Sequence, residues 1–445
     1  MKIAFTTLGC KLNYAETSTY ERGYSASGWE VVPWTQPADV YLINTCAVTE
    51  TAEKKSRNLI RRAHRTAPEA RIMVTGCYAQ LRREQLLQME GVWKVFGADE
   101  KKDILLVASE GIASETSGHP RPDKREGPAA SGGGRGRSEA EAVSKAIPSE
   151  AQKSVFGAYS SGERTRSFLK VQDGCDNFCA YCTVPFARGR SRSIPVCEAV
   201  KMAQDIAAKG IKEVVLTGVN TGDFGRSSGE SFLDLLKALN AVEGIERYRI
   251  SSIEPNLITP EIIDWIASGT KFQRHFHIPL QSGSDKLLQR VGRRYDTALF
   301  ASRIDYIRTA MERPGEPRVF LGIDVIVGLP GETEELFLQT YDFLKERIRP
   351  AFIHVFPYSR RPGTRAATWK DQVPERIKTE RVAALEALCQ QLHQSFVEEH
   401  IGIPETVLWE SSEHSGLMAG YTGNYIRVER PFDPARINQL EEIVL

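Results

Sequence analysis

The chain has 445 residues, 41% of them apolar, and its 58 lysines and arginines offset 57 aspartates and glutamates to leave a net charge of +1. That length exceeds one ordinary core and points to about two to three domains of ordinary globular composition. A near-neutral balance excludes a polybasic chain, so any nucleic-acid surface has to be a local basic patch.

The first residues, Met1 to Cys10, lack a charged-then-apolar signal region. No stretch approaches the roughly 18 consecutive apolar residues of a membrane span. These features predict a cytoplasmic protein without a membrane partner. Eight cysteines are too sparse for a secreted disulfide framework. In a reducing compartment, clustered cysteines are metal ligands or redox groups.

Residues 1–110 alternate β-prone runs (Lys2–Phe5, Val40–Ile43, Arg71–Val74) with a helix-rich, basic stretch at Thr49–Arg65. This rhythm predicts a small α/β domain with a parallel sheet. Cys10, Cys46 and Cys77 each fall just past the end of one of these strands. In such folds that edge faces a shared crevice where ligands bind. Residues 111–165 break the pattern with Ser131-Gly132-Gly133-Gly134-Arg135-Gly136-Arg137 and many Ser, Pro and charged residues. Such a segment buries too little apolar surface to order itself, and a flexible linker is expected.

From Arg166 to about His400 the alternation returns. Candidate strands are Ser167–Val171, Glu213–Thr217, Arg247–Ser251, Arg274–Ile278, Val319–Val327 and Phe352–Phe356, with helices such as Cys197–Lys209 and Phe232–Leu239 between them and a closing helix within Gln372–His400. Six such units predict a partial (β/α)6 barrel. Residues 401–445 carry short β-prone pieces, Thr406–Trp409 and Tyr425–Glu429, and predict a small β-domain. The fold class is thus α/β with three folded parts.

The sharpest motif is Cys175-Asp-Asn-Phe-Cys179-Ala-Tyr-Cys182, directly after the first barrel strand. Thiolates suit iron–sulfur clusters or zinc. A structural zinc site takes four ligands, usually as paired CxxC. Here the loop offers three, and Cys197, further on, reads as a buried helix residue. Three protein ligands on a cubane leave one iron open to a small chelating ligand. A zinc knuckle remains the alternative at this point.

The C-x3-C-x2-C spacing resembles the radical S-adenosylmethionine (SAM) superfamily. With Gly9-Cys10-Lys11-Leu12-Asn13, Asn44-Thr45-Cys46-Ala47-Val48-Thr49 and Thr75-Gly76-Cys77-Tyr78, the chain resembles the radical SAM methylthiotransferases over nearly its whole length outside the linker. The resemblance implies SAM and two [4Fe–4S] clusters, one on Cys175, Cys179 and Cys182 and one on Cys10, Cys46 and Cys77. It also implies that the carboxyl-terminal part is a TRAM-like RNA-binding module, with Gly420–Tyr425 as its late turn. It places Tyr181 near the SAM adenine, Gly218 and Asn220 near the SAM amino group, Glu254 near the ribose or a polar substrate, and Asp324 on the strand that supports adenine. No residue is assigned as catalytic acid or base.

The family acts on isopentenyladenosine in tRNA, on threonylcarbamoyladenosine in tRNA, or on a ribosomal-protein side chain. The Gly9-Cys10-Lys11-Leu12-Asn13 form, with Lys54-Lys55-Ser56-Arg57 and Arg188-Gly189-Arg190-Ser191-Arg192-Ser193, resembles the threonylcarbamoyladenosine branch. That implies the anticodon loop of tRNA as partner, together with an external electron donor and a sulfur source. Arg188, Arg190, Arg192, Arg360, Arg361 and Arg365 are candidate RNA contacts, since guanidinium groups bind phosphates and stack on bases. His354 reads as a core or supporting residue of its strand, and His275 and His277 alternate on one face without an evident third ligand. A non-catalytic RNA-binding protein with structural zinc is the rival from another class.

Overall fold

The computed structural model of the protein describes residues 1–110, 155–162 and 165–445. In the amino-terminal part, Lys2–Thr7, Glu30–Val32, Val40–Thr45, Arg71–Gly76 and Val92–Val95 form one parallel sheet. The expected strands are there, and two short edge strands, 30–32 and 92–95, extend the sheet. Val40–Thr45 is buried along its whole length, as a central strand covered on both faces must be. Helix Glu50–Thr66 begins where the Thr49 side chain accepts the Ala52 N–H at 3.2 Å. Its acids Glu50 and Glu53 sit at the positive end of the helix dipole and His64 and Arg65 at the negative end.

Spatial order in this sheet is 30–32, 2–7, 40–45, 71–76, 92–95. The chain winds one way from strand 2–7 and the other way from strand 40–45. A doubly wound sheet opens its ligand crevice where the order reverses, at the carboxyl ends of those two strands. Cys10 and Cys46 follow these strands, and Cys77 follows the next one over.

The barrel is built from two parallel sheets. Arg166–Lys170, Glu213–Thr217 and Arg247–Ile250 form one; His275–Gln281, Phe320–Val327 and Phe352–Pro357 form the other. An isolated bridge between Tyr248 and Phe272 links them. Helices Val196–Ala207, Phe232–Asn240, Pro260–Ala267, Thr297–Met311 and Glu334–Asp342 cover the outside, and Glu375–Glu398 closes the last strand. Leu169, Leu216, Ile250, Ile278 and Ile323 belong to one core that runs through both sheets.

Of the expected linker, 111–154, Glu163 and Arg164 lie outside the described residues. The rest corrects the expectation: Ala158–Tyr159 is an edge strand antiparallel to Arg166–Lys170, and Val155 packs into the barrel core. Two strand residues carry too little pattern to be seen in sequence. The last part is a four-stranded antiparallel sheet in the order 427–431, 417–421, 404–414, 440–444. Its turn Gly420–Tyr425 docks on the barrel floor: Arg249 donates to the Gly423 and Thr422 carbonyls at 2.6 and 2.8 Å and stacks 3.8 Å from the Tyr425 ring centre.

Candidate functional site: two cysteine triplets

Cys46 and Cys77 are buried and Cys10 is exposed, all three as free thiols. Cys46 and Cys77 feel each other and Cys10 electrostatically. Their turns need glycine. Gly9 has φ +101° and a Cβ there would lie 2.9 Å from Cys46 Cβ, while Gly76 has φ +97° and a Cβ would meet the Thr45 carbonyl oxygen at 2.3 Å. Asn13, one turn into the helix after Cys10, donates to the Leu8 and Thr45 carbonyls at 2.8 and 3.0 Å. It thereby ties the Cys10 turn to the Cys46 turn.

Cys175, Cys179 and Cys182 curl in the loop after strand 166–170. The backbone N–H groups of Asn177 and Val184 donate to the Cys175 and Cys182 sulfurs at 3.5 and 3.4 Å, and Arg293 Nη1 donates to Cys179 Sγ at 3.3 Å. Burial pushes Cys46 and Cys175 up to about 11 and Cys182 up to about 12, so these thiols are protonated unless a metal takes the proton's place. A cavity of 360 Å³ joins the two halves. Val48 and Thr49, just past Cys46, line one wall, and Tyr181, Cys182, Gln281, Asp324 and Tyr358 line the other. Helix Cys77–Leu81 packs against helix Val184–Arg188, the turns that follow each triplet's last cysteine.

Among the described residues, only His277, Asp324 and His354 form a set of three His, Cys, Asp or Glu ligand atoms within 4.8 Å of one another. Around one zinc ion, thiolates at about 2.3 Å from the metal would stand closer than that.

Residues 2–97 match the model of an uncharacterized protein family, UPF0004, and residues 169–344 match the radical SAM superfamily. The chain is 40% identical to the threonylcarbamoyladenosine tRNA methylthiotransferase MtaB of Bacillus subtilis (strain 168), covering 96% of this chain and 89% of that one. The chain belongs to the radical SAM methylthiotransferases. It is 37% identical to the MtaB of Aquifex aeolicus (strain VF5), over 97% of both chains. It is 30% identical to the tRNA-2-methylthio-N(6)-dimethylallyladenosine synthase of Geobacter metallireducens, over 98% of this chain and 94% of that one. The fold resembles the radical SAM methyltransferase TsrM from Kitasatospora setae, with TM-score 0.56 and 16% identity over 82% of this chain and 77% of that one. A radical SAM methylthiotransferase uses SAM and a [4Fe–4S] cluster, and carries a second cluster. Three free thiols at each site, the donor type that iron–sulfur clusters take, fit two such groups.

In this methylthiotransferase Tyr181 and Asp324 face the cavity; the Tyr181 hydroxyl donates to Gln281 Oε1 at 3.0 Å. Glu254 stands beside the Cys175 loop. Its Oε1 accepts from Asn177 at 2.7 Å and pairs with Arg293 at 2.7 Å, and its backbone N–H donates to Asn220 Oδ1 at 3.2 Å. Gly218 lies against Gln172, whose Oε1 accepts the Val219 and Asn220 N–H groups at 2.9 and 3.0 Å. Glu332 is a structural acid: it accepts the Gly328 N–H at 2.6 Å and pairs with Arg381 at 2.7 Å.

Several expected RNA contacts are corrected. Arg188 and Arg192 are buried, and so is Arg361, which pairs with Glu53. Arg360, whose Nε donates to the Ala367 carbonyl at 2.7 Å, and Arg365 stay exposed, so neither expectation is overturned. Arg190 remains exposed. Cys197 is exposed on its helix, not buried. Arg188 belongs to a buried charge network that the sequence conceals. Glu16 Oε1 receives Lys170 at 2.5 Å, Lys101 at 2.7 Å and Arg188 at 3.4 Å; Asp173 pairs with Lys170 at 2.6 Å and Arg188 at 2.8 Å. Arg188 also donates to Asn13 Oδ1. The cations hold the Glu16 carboxyl far below its usual value, and Arg188 favours the thiolates of Cys46 and Cys77. The network locks the amino-terminal domain to the barrel between Asn13 and Asp173, beside both triplets.

Proposed function

We propose that this chain replaces the C2 hydrogen of threonylcarbamoyladenosine in the anticodon loop of tRNA with a methylthio group. The observation that carries the reading is a cavity between the two cysteine-bearing domains, with Cys182 on one wall and Val48 and Thr49, just past Cys46, on the other, beside the Glu16–Arg188–Asp173 network that joins them. The branch follows from relatives named for threonylcarbamoyladenosine, which are 32–40% identical over most of the chain. Cys175, Cys179 and Cys182 hold the cluster that meets SAM, and Cys10, Cys46 and Cys77 hold the second.

When bound, the first cluster supplies the electron that splits SAM into a 5′-deoxyadenosyl radical and the second presents the sulfur to be transferred; a radical is needed because an aromatic C–H bond resists acid–base chemistry. The residues of the chain do the positioning. Tyr181 offers its ring to the SAM adenine, Gly218 and Asn220 take the amino group, and Glu254, fixed by Asn177 and Arg293, receives the ribose. Val48, Thr49, Tyr358 and Ile326 line the cavity and keep water from the reacting atoms. The target base leaves its stack to enter, which an anticodon loop permits at low cost. The carboxyl-terminal sheet and Arg190 hold the RNA. An external reductant and a sulfur source serve the reaction in the cytoplasm. Among the described residues no helix is long and apolar enough to cross a membrane.

Nucleoside mass spectrometry of tRNA from a strain lacking the gene tests the reading. The 2-methylthio derivative of threonylcarbamoyladenosine disappears and its unmodified precursor rises. Loss of the isopentenyl derivative instead, or an unchanged tRNA profile, contradicts it.

A further inference from the structure

The barrel interior holds a polar group that the cysteine chemistry does not use. His277, Asp324 and His354 stand on three adjacent strands with ligand-type atoms within 4.8 Å of one another. His277 Nε2 lies 2.6 Å from Asp324 Oδ1, and the two imidazole centres are 4.8 Å apart. Asp324 and His354 are register partners, so their side chains rise on the same face of the sheet. Lys11, from the amino-terminal domain, lies within electrostatic reach of this group. Its ammonium sits 6.0 Å from the Phe168 ring centre and acts electrostatically on Asp324, His275 and His354.

Among the described residues, Lys11 Nζ has no hydrogen-bond or ion-pair partner, and neither do the ring nitrogens of His354. A half-buried ammonium with no direct ion-pair partner is costly to keep, and an arriving anion offsets that cost. Two histidines and a carboxylate are also a donor set for a divalent metal. The field argues against it: Lys11 competes for Asp324, and Arg166 and Arg249 add positive charge around Lys11.

We propose that Lys11, His354 and Asp324 form the receptor for the amino-acid arm of the substrate, Lys11 and His354 taking its carboxylate and Asp324 accepting from its hydroxyl or ureido N–H. The inference rests on the threonylcarbamoyladenosine reading above, since that arm carries all of these groups. Asp324 connects the receptor to the cavity that Tyr181 and Cys182 line. In adenine, C2 and the C6 that bears the arm flank the same ring nitrogen. An arm seated in the lumen therefore turns the C2 edge toward the thiols, and the receptor sets both selectivity and aim.

Full-length protein with both clusters reconstituted is titrated, without oxygen, with synthetic anticodon stem-loops bearing threonylcarbamoyladenosine, its threonine methyl ester, adenosine or isopentenyladenosine. The parent binds the free acid about tenfold tighter than the ester, as expected for one charge-assisted contact. Lys11→Gln brings that ratio to about one, and His354→Gln lowers it about threefold. Because each ratio is taken within one protein, loss of active fraction cancels, and the parent's response to the ester needs no variant. A Lys11→Gln protein that keeps the tenfold ratio overturns the receptor. A parent that prefers threonylcarbamoyladenosine to adenosine but is blind to the ester overturns the receptor alone. A parent that prefers isopentenyladenosine overturns the substrate reading, and the receptor with it. Stoichiometric uptake of Mn²⁺ that His354→Gln abolishes overturns the receptor in favour of a cation site.

Discussion

Replacing Glu16 by glutamine puts the joint between the two domains to a quantitative test. Glu16 is fully buried and receives three cations, two of them at 2.5 and 2.7 Å. At an effective dielectric of about 20, each close contact is worth on the order of 6 kcal/mol of attraction, most of it offset by the cost of burying the charges. Glu16→Gln keeps the shape and removes the charge, leaving Lys101, Lys170 and Arg188 with Asp173 as their nearest carboxylate. Removing one member of such a set costs about 3–5 kcal/mol, because the partners stay buried and uncompensated. Urea unfolding of the metal-free protein, followed by tryptophan fluorescence, reads this as a lower midpoint. Adding Lys101→Met to the variant recovers part of the loss, since it removes one orphaned cation. The carboxyl is held below its usual value, so its contribution is present at neutral pH and lost only as pH falls through its depressed pKa. A Glu16→Gln protein within about 1 kcal/mol of the parent at pH 7, or a double variant weaker than the single by the full additive amount, refutes the reasoning.

Gly9→Ala forces a Cβ to within 2.9 Å of Cys46 Cβ at a φ of +101°; iron bound by the amino-terminal triplet falls, read by iron analysis in a Cys175→Ala background, while iron bound by the barrel triplet, read in a Cys46→Ala background, is unchanged. Arg293→Lys keeps a charge but loses the fork that spans Cys179 Sγ at 3.3 Å and Glu254 at 2.7 Å; SAM cleavage under dithionite drops at least about tenfold, and parental rates contradict the role. Burial pushes Glu405 up to about 7, so its folded-state pKa lies above the unfolded one and stability is lost as pH rises through it. Glu405→Gln therefore stabilises the fold at pH 8 by on the order of 1–3 kcal/mol, read as a higher thermal midpoint, and leaves the midpoint unchanged at pH 4; equal effects at both pH values contradict the assignment.

The placement of the candidate cysteines at strand ends was legible because its signals are local. The loop Cys175–Cys182 is a spacing within a few residues, and Cys10, Cys46 and Cys77 each terminate a β-prone run. The six barrel strands were visible as apolar runs, with ends displaced by one to a few residues. What stayed hidden was long-range. Arg188 and Arg192 read as a basic loop because Glu16, 172 residues from Arg188, gives no local hint that it binds there. His277, Asp324 and His354 meet only through the register of three parallel strands, which no sequence window contains. Ala158–Tyr159 borrows its order from the strand it pairs with. Cys197 misled because a cysteine on an amphipathic helix is usually buried.

Two separate triplets of thiols are proposed each to hold an iron–sulfur cube. Iron and acid-labile sulfide, counted after anaerobic reconstitution, measure it directly. About eight irons per chain are expected, falling to about four when either Cys10, Cys46 and Cys77 or Cys175, Cys179 and Cys182 are changed to alanine. About four irons in the parent, unchanged by alanine at Cys10, Cys46 and Cys77, would contradict it.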